Sequence, residues 1–271
     1  MSKKFKLGVV GDPIEHSLSP FIHSRFSRNE NVNINYLAYK VDKDDFDIFI
    51  KEFFQDKEAR GLNITLPHKK RAASLEGKIS QEARYINAVN TLVNVNDKLH
   101  LFSTDGAGFI KDMENKRFNL KNKNILIIGA GAAVESILYG VASAKPMNIT
   151  IINRTIEKAE RLIRKFGNIT EIKSEVAKDK PFDLVINGSS AGLTGDFFPE
   201  ENIPLTPKAY FYDLNYSLTE TPFCKWAKEK SDDVYDGMGM LVYQAAYSFE
   251  KWFDVFPNTD IVINDLEAMR E

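Results

Sequence analysis

Cys224 is the only cysteine in 271 residues, which excludes a disulfide framework within the chain and leaves no set of thiolates for a metal cluster. Neither sign of charge dominates. The 36 basic residues face 38 acidic ones, a formal net charge of −2, so no broad basic face for nucleic acid or a membrane surface is expected. Long apolar runs are missing as well. The opening Met-Ser-Lys-Lys-Phe-Lys is followed only by a short one at 7–10, too brief for a signal sequence or a membrane span. There is no repeat, low-complexity tract or flexible linker. These absences leave a globular chain long enough for one large or two modest domains, suited to small-molecule chemistry in a reducing cytoplasm.

The most informative segment is residues 124–155, which begins Asn-Ile-Leu-Ile-Ile-Gly-Ala-Gly-Ala-Ala and ends Asn-Ile-Thr-Ile-Ile-Asn-Arg-Thr. An apolar strand, a glycine turn, an amphipathic helix and a second strand make the βαβ unit that holds a dinucleotide. Gly129 and Gly131 let the backbone approach a pyrophosphate, and the helix that follows offers its unpaired N–H groups. The second strand ends in Arg154 rather than Asp or Glu. A guanidinium suits a ribose 2′-phosphate, so the expected cofactor is NADP, and the expected partners are small molecules.

About 120 residues precede the glycine loop and alternate in type, which is α/β patterning. Strands are predicted at 5–10, 35–41 and 62–66, helices at 20–29 and 44–55, and a hairpin pairs 91–95 with 99–104 around Asn96-Asp97-Lys98. Pro20 and Pro67 each suit a first helical position, with Ser19 as a cap. A helix over 106–116 leads into the nucleotide half, which continues with a helix at 156–166 and strands at 182–187 and 209–213. The helix at 239–256 is apolar over much of its circumference and is expected to return to the first domain. Residues 1–105 with 240–271 are thus assigned to one domain and 106–239 to a Rossmann-type domain, with a cleft between them.

A nicotinamide enzyme must still move a proton at the substrate oxygen. His16, His23, His68 and His100 lack metal-ligand spacing, so no metal is expected. Tyr36 and Lys40 match the Tyr-x-x-x-Lys of short-chain dehydrogenases but precede the nucleotide unit on a strand-like segment, and the match is rejected. Lys69 sits in the first turn of a predicted helix, where the macrodipole and the neighbours Lys70 and Arg71 disfavour its protonated form. Asp105 ends a strand, where a carboxylate can orient a lysine or simply cap a helix. Ser17 and Ser19 suit a turn as well as a ligand, and Gln244, among apolar neighbours, needs a partner for its amide.

Eight motifs occur in order: Gly-Asp-Pro-Ile-Glu-His-Ser-Leu-Ser-Pro at 11–20, Gly-Leu-Asn-Ile-Thr-Leu-Pro-His-Lys at 61–69, Asn-Ala-Val-Asn-Thr at 87–91, Ser-Thr-Asp-Gly-Ala-Gly at 103–108, Gly-Ala-Gly-Ala-Ala at 129–133, Asn-Arg-Thr at 153–155, Tyr-Asp-Leu-Asn-Tyr at 212–216 and Asp-Gly-Met-Gly-Met-Leu-Val-Tyr-Gln-Ala-Ala at 236–246. Together they resemble the shikimate dehydrogenase family over the whole chain. The resemblance implies an N-terminal α/β substrate domain with a mostly parallel sheet, a Rossmann-type NADP domain, and NADP-dependent interconversion of shikimate and 3-dehydroshikimate in aromatic amino-acid biosynthesis. It implies that Lys69 and Asp105 are the catalytic pair, that Ser17, Ser19 and Tyr216 engage the substrate carboxylate, and that Thr65, Asn90 and Gln244 join the pair on the ring hydroxyls. On the cofactor side it implies Gly129, Ala130, Gly131, Ala132 and Ala133 for the diphosphate, Asn153, Arg154, Thr155 and Lys158 for the 2′-phosphate, and Leu214 and Gly237 for the nicotinamide region.

The chain departs from the family pattern at Ser103, Ala132, Gly188-Ser189 and Glu135. Glu135 is the least comfortable: a carboxylate near the helix start weakens a phosphate site unless it points outward. Rival readings are a dual quinate/shikimate dehydrogenase, a non-catalytic NADP-responsive binding protein and a folate dehydrogenase/cyclohydrolase, with a monomer or homodimer in each case.

Overall fold

The computed structural model describes residues 4–177, 179–190 and 203–270. The chain forms two compact units, Met1–Gly108 with Val242–Asp265 and Phe109–Leu241 with Leu266–Glu271.

In the first unit β1 (Phe5–Gly11), α1 (Ser19–Asn29), β2 (Ile34–Lys40), α2 (Phe46–Phe53), β3 (Gly61–Ile64), α3 (Lys69–Ala72), β4 (Lys78–Ile79), α4 (Gln81–Ile86), β5 (Thr91–Val95) and β6 (Lys98–Phe102) follow in turn, and α5 (Asp105–Asn115) begins there. The sheet runs β2-β1-β3-β5-β6-β4. β1 pairs in parallel with β2 and β3, and β4 with β6, whereas β5 runs against both β3 and β6. The β5–β6 turn is tight because Asn96 and Asp97 both take left-handed φ, 50° and 60°, which lets Val95 pair with Lys98. Side chains alternate across the sheet. Val10, Leu62, Ile64, Leu92 and Leu101 face Phe46, Ile50 and Phe53 of α2, while Leu7, Val9, Tyr36 and Val93 pack with Trp252 on the other side.

The second unit holds β7 (Asn124–Ile128), α6 (Ala132–Ser143), β8 (Asn148–Ile152), α7 (Ile156–Phe166), β9 (Ile172–Lys173), β10 (Phe182–Asn187), β11 (Leu205–Asp213), α8 (Pro222–Lys228) and β12 (Val234–Tyr235). α9 (Met238–Phe253) and α10 (Asp260–Glu267) complete the chain. All pairings are parallel, in the order β12-β11-β10-β7-β8-β9. This is the doubly wound order, whose direction reverses between β7 and β10, and ligands of such sheets bind outside the strand ends at that reversal. Nearly continuous Ile, Leu and Val in β7 and β10 reflect burial on both faces. Among the described residues no helix is long and apolar enough to cross a membrane.

Two local expectations change. α1 begins at Ser19 itself, with Leu18 in the cap position and no side-chain cap, and α3 begins after His68 rather than at Pro67. Ser19 is the first residue inside the helix, and its hydroxyl bonds to the Tyr36 phenol.

Candidate active site

Three short segments converge in the first unit. β3 leads through Thr65 into α3 and Lys69, Asn90 stands just before β5, and the end of β6 leads through Thr104 into α5 and Asp105. Lys69 Nζ lies 2.6 Å from Asp105 Oδ2, with side-chain exposures of 22% and 8%, so the pair is largely withdrawn from water yet reachable on the lysine side. Asp105 Oδ1 accepts from Asn90 Nδ2 at 2.8 Å. Both carboxylate oxygens are therefore engaged by side chains, and Asp105 serves as the lysine's counter-ion rather than as a cap. The Asn90 Nδ2 group also lies 3.3 Å from Gln244 Oε1. Gln244 comes this close because position 108 of α5 is glycine: a Cβ there would stand 2.7 Å from the Gln244 main-chain nitrogen.

Lys69, Asn90, Asp105 and Gln244 are thus brought together. Ser17 and Ser19 lie at the start of α1, where the Ser19 N–H donates to Ser17 Oγ at 3.3 Å. Thr65 follows the end of β3, donating its N–H to the Val10 carbonyl at 2.9 Å, while Asp12 N–H bonds to the Leu66 carbonyl at 3.0 Å. Tyr216 belongs to the second unit and is exposed there at 40%. The rejected Tyr36–Lys40 match has no common purpose: Tyr36 donates to Asn63 Oδ1 at 2.7 Å, whereas Lys40 pairs with Asp12 and Glu15 at 3.6 and 3.5 Å.

Glu82, in the first turn of α4, was not singled out by any motif. Its Oε1 is buried without a hydrogen-bond partner. Burial, with a smaller push from the Asp105 carboxylate, raises its pKa to about 7. His23 is fully buried with neither ring nitrogen hydrogen-bonded, stacked on Tyr36 with ring centroids 4.3 Å apart. Burial draws its pKa down to about 3, and the Asn63 side chain opposes this only in part. Only side-chain burial reveals either group, and burial is not written in a local motif.

In the second unit the glycine loop leaves β7 at the sheet's reversal point. Gly129 has φ +110°, and a Cβ there would stand 2.8 Å from the main chain of Gly188 and Ser189, so the turn requires glycine. Gly131 occupies the cap position of α6 with no side-chain cap, and Gly131, Ala132 and Ala133 are exposed, with Ala130 buried behind them. The first N–H groups of α6 therefore have no side-chain acceptor and face solvent, the arrangement a diphosphate satisfies. At the end of β8, Asn153 Nδ2 bonds to the Thr155 carbonyl at 2.8 Å, and Arg154, Thr155 and Lys158 are exposed. No carboxylate pairs with Arg154 or Lys158 among the described residues, which leaves two cations for a phosphate. The residues present fit NADP.

Glu135 neither points outward nor faces this opening. It is buried, accepts from Arg161 Nη1 and Nη2 at 2.9 Å each, and from Lys165 at 2.9 Å. Burial raises its pKa, but the two cations of α7 prevail and hold it below the usual carboxylate range. Its charge joins α6 to α7, and the phosphate site is spared. Gly188 is equally explained: a Cβ would lie 2.3 Å from Val134 Cγ2, leaving no room for alanine without a shift. Leu214 N–H donates to the Asn187 carbonyl at 2.7 Å, and Gly237 N–H to the Asn215 carbonyl at 3.0 Å. Asp213 anchors that segment, accepting from Asn187 Nδ2 at 2.9 Å, Asn215 N–H at 3.1 Å and Thr221 Oγ1 at 2.7 Å.

Three family descriptions match the chain: shikimate dehydrogenase substrate binding domain over residues 9–92, shikimate / quinate 5-dehydrogenase over 112–193, and shikimate 5'-dehydrogenase C-terminal domain over 237–271. The shikimate dehydrogenase (NADP(+)) of Buchnera aphidicola is 38% identical over 269 residues, 97% of each chain. That of Legionella pneumophila is 39% identical over 266 residues, 97% of this chain and 98% of the relative. Among solved structures, shikimate 5-dehydrogenase from Thermus thermophilus in complex with NADP(H) and shikimate has a TM-score of 0.88 at 28% identity, covering 98% of this chain and 99% of that one.

Proposed function

The chain belongs to the shikimate dehydrogenase family, and from that membership we propose that it catalyses the reversible, NADPH-dependent reduction of 3-dehydroshikimate to shikimate on the route to chorismate and the aromatic amino acids. The observation that carries this reading is the Lys69–Asp105 pair at 2.6 Å, held among Asn90 and Gln244. The first unit binds the substrate. Ser17 and Ser19 take its carboxylate, and Thr65, Asn90 and Gln244 its ring hydroxyls, because a site built of hydroxyls and amides rejects analogues that leave those groups unmatched.

The second unit holds NADPH, with 129–133 on the diphosphate, Asn153, Arg154, Thr155 and Lys158 on the 2′-phosphate, and Leu214 and Gly237 toward the nicotinamide. When bound, NADPH supplies the hydride that the carbonyl carbon receives. Lys69 Nζ gives its proton to the carbonyl oxygen as that oxygen becomes a hydroxyl, and Asp105 Oδ2 keeps the ammonium in place. In the reverse direction the lysine accepts the proton. The near-balanced charge and single buried cysteine support a cytoplasmic enzyme of small molecules. The test is a four-way assay of NADP or NAD with shikimate or quinate. Turnover that favours NADP and shikimate is expected, and no turnover in any pairing overturns the assignment.

A further inference from the structure

A set of buried polar side chains lies behind the site, where a core of this kind would ordinarily be apolar. Tyr36, Asn63, Thr91 and Ser248 come from β2, β3, β5 and α9, and all are buried. Most of their hydrogen bonds have a direction, since an amide NH2 or main-chain N–H can only donate.

The Thr104 N–H lies 2.9 Å from Asn90 Oδ1, which fixes that atom as oxygen and turns Nδ2 toward Asp105. Thr91 Oγ1 is 2.9 Å from the same oxygen. In the Thr91–Ser248 contact of 2.7 Å either hydroxyl can donate, because Ser248 Oγ also lies 3.0 Å from the Gln244 carbonyl. Ser248 Oγ accepts from Asn63 Nδ2 at 2.9 Å. The Gln244 carbonyl lies 3.0 Å from Thr104 Oγ1 as well. The second proton of Asn63 Nδ2 meets the Asn90 carbonyl at 3.2 Å, so Asn63 Oδ1 is free to accept from the Tyr36 hydroxyl at 2.7 Å. Burial raises the Tyr36 pKa well above its ordinary value and keeps it a donor, and the Ser19 hydroxyl donates to it in turn. Hydrogen bonds thus run without a break from Ser19 through Tyr36, Asn63, Ser248, Thr91 and Asn90 to Asp105.

We infer that Tyr36 and Ser248 are positioning residues, which act through Asn63 and Thr91 to hold the Asn90 amide with its NH2 group against Asp105. The inference rests on the proposed shikimate dehydrogenase activity. Without the layer, the Asn90 oxygen keeps the Thr104 N–H but the Thr91 hydroxyl beside it is no longer held, so the lysine's counter-ion and the hydroxyl-binding amide are fixed less firmly in register.

The test is a double-mutant cycle on the full-length enzyme with Tyr36→Phe and Ser248→Ala, measured with both substrates at saturating partner. Tyr36→Phe keeps the ring stacked on His23 and removes only the hydroxyl. Each single variant is expected to lose about 5–30-fold in kcat/KM for shikimate, the usual cost of one buried hydrogen bond, with the KM for NADP within about twofold of wild type. The double variant should be little worse than the poorer single one, because one chain broken twice is still one broken chain. Ser248→Thr, which keeps the hydroxyl, should restore most of the loss. Losses that multiply, equal losses toward shikimate and NADP, or single variants within twofold of wild type would overturn the inference. Should Tyr36→Phe fail to fold, the Ser248→Ala and Ser248→Thr pair decides alone. A wild-type enzyme inactive on shikimate would instead remove the activity on which the inference stands.

Discussion

The two candidate sites are built from different materials. In the first unit, side chains are held by other side chains: Lys69 by Asp105, Asp105 by Asn90, and Asn90 by Thr91 and Thr104. In the second, the glycine loop and the open end of α6 present main-chain groups, with two exposed cations at the end of β8. A side-chain site is precise but vulnerable to a single atom change, because each partner left unmatched in a buried place costs free energy. A main-chain site tolerates many side chains and is vulnerable only where the backbone itself needs glycine.

That contrast is sharpest at Asp105 and Gly129. Asp105→Asn is expected to lower kcat by about 10²–10³-fold with unchanged NADPH affinity, since an amide cannot hold the ammonium as a carboxylate does. Steady-state kinetics beside a direct NADPH titration checks it; a matching loss of NADPH affinity would erase the distinction between the sites. Gly129→Val should weaken NADPH binding by at least about tenfold, because a β-branched residue cannot readily take a positive φ. Fluorescence titration of NADPH reads this directly, with Ala132→Ser as the tolerated comparison.

Smaller effects sharpen the comparison at its edges. Arg154→Ala should raise the KM for NADPH about tenfold at unchanged kcat and leave NADH use as it is, because the guanidinium serves only the 2′-phosphate. Glu82 gives the smallest effect. Its pKa rises from an ordinary 4.5 to about 7 on folding, so the folded protein holds a proton that the unfolded chain has released. Stability is accordingly lost as pH rises through that window, and Glu82→Gln should melt a few degrees above wild type at pH 8 and level with it at pH 4. Calorimetry at the two pH values gives the answer, and a gain present equally at both would contradict the burial of an ionising carboxyl.

Much of this was legible in the chain. The β7–α6–β8 unit announces itself because a doubly buried strand, a glycine turn and an amphipathic helix each leave a local pattern. The β5–β6 hairpin was visible for the same reason, in two alternating runs around Asn96-Asp97. Lys69, Asn90, Asp105 and Gln244 came from motifs, and hydrogen bonds bring them together. The short helices α4 and α8 leave no periodic signal, being under two turns long. The remaining gaps are pairings distant in sequence. Glu135 meets Arg161 and Lys165 across 26 and 30 residues, and Tyr36 is tied to Asn63, itself bonded to Ser248 185 residues away. No window of sequence contains both ends of such contacts, so their residue types looked ordinary where they stood.

The proton-transfer role of Lys69 is tested most directly by measuring kcat for shikimate oxidation and the NADPH dissociation constant on one preparation of Lys69→Ala. A general acid or base contributes about 10²–10⁴-fold, so kcat should fall by that factor while NADPH binds as in wild type. Turnover within a few-fold of wild type would contradict the role assigned to the lysine and, with it, the chemistry proposed for the site.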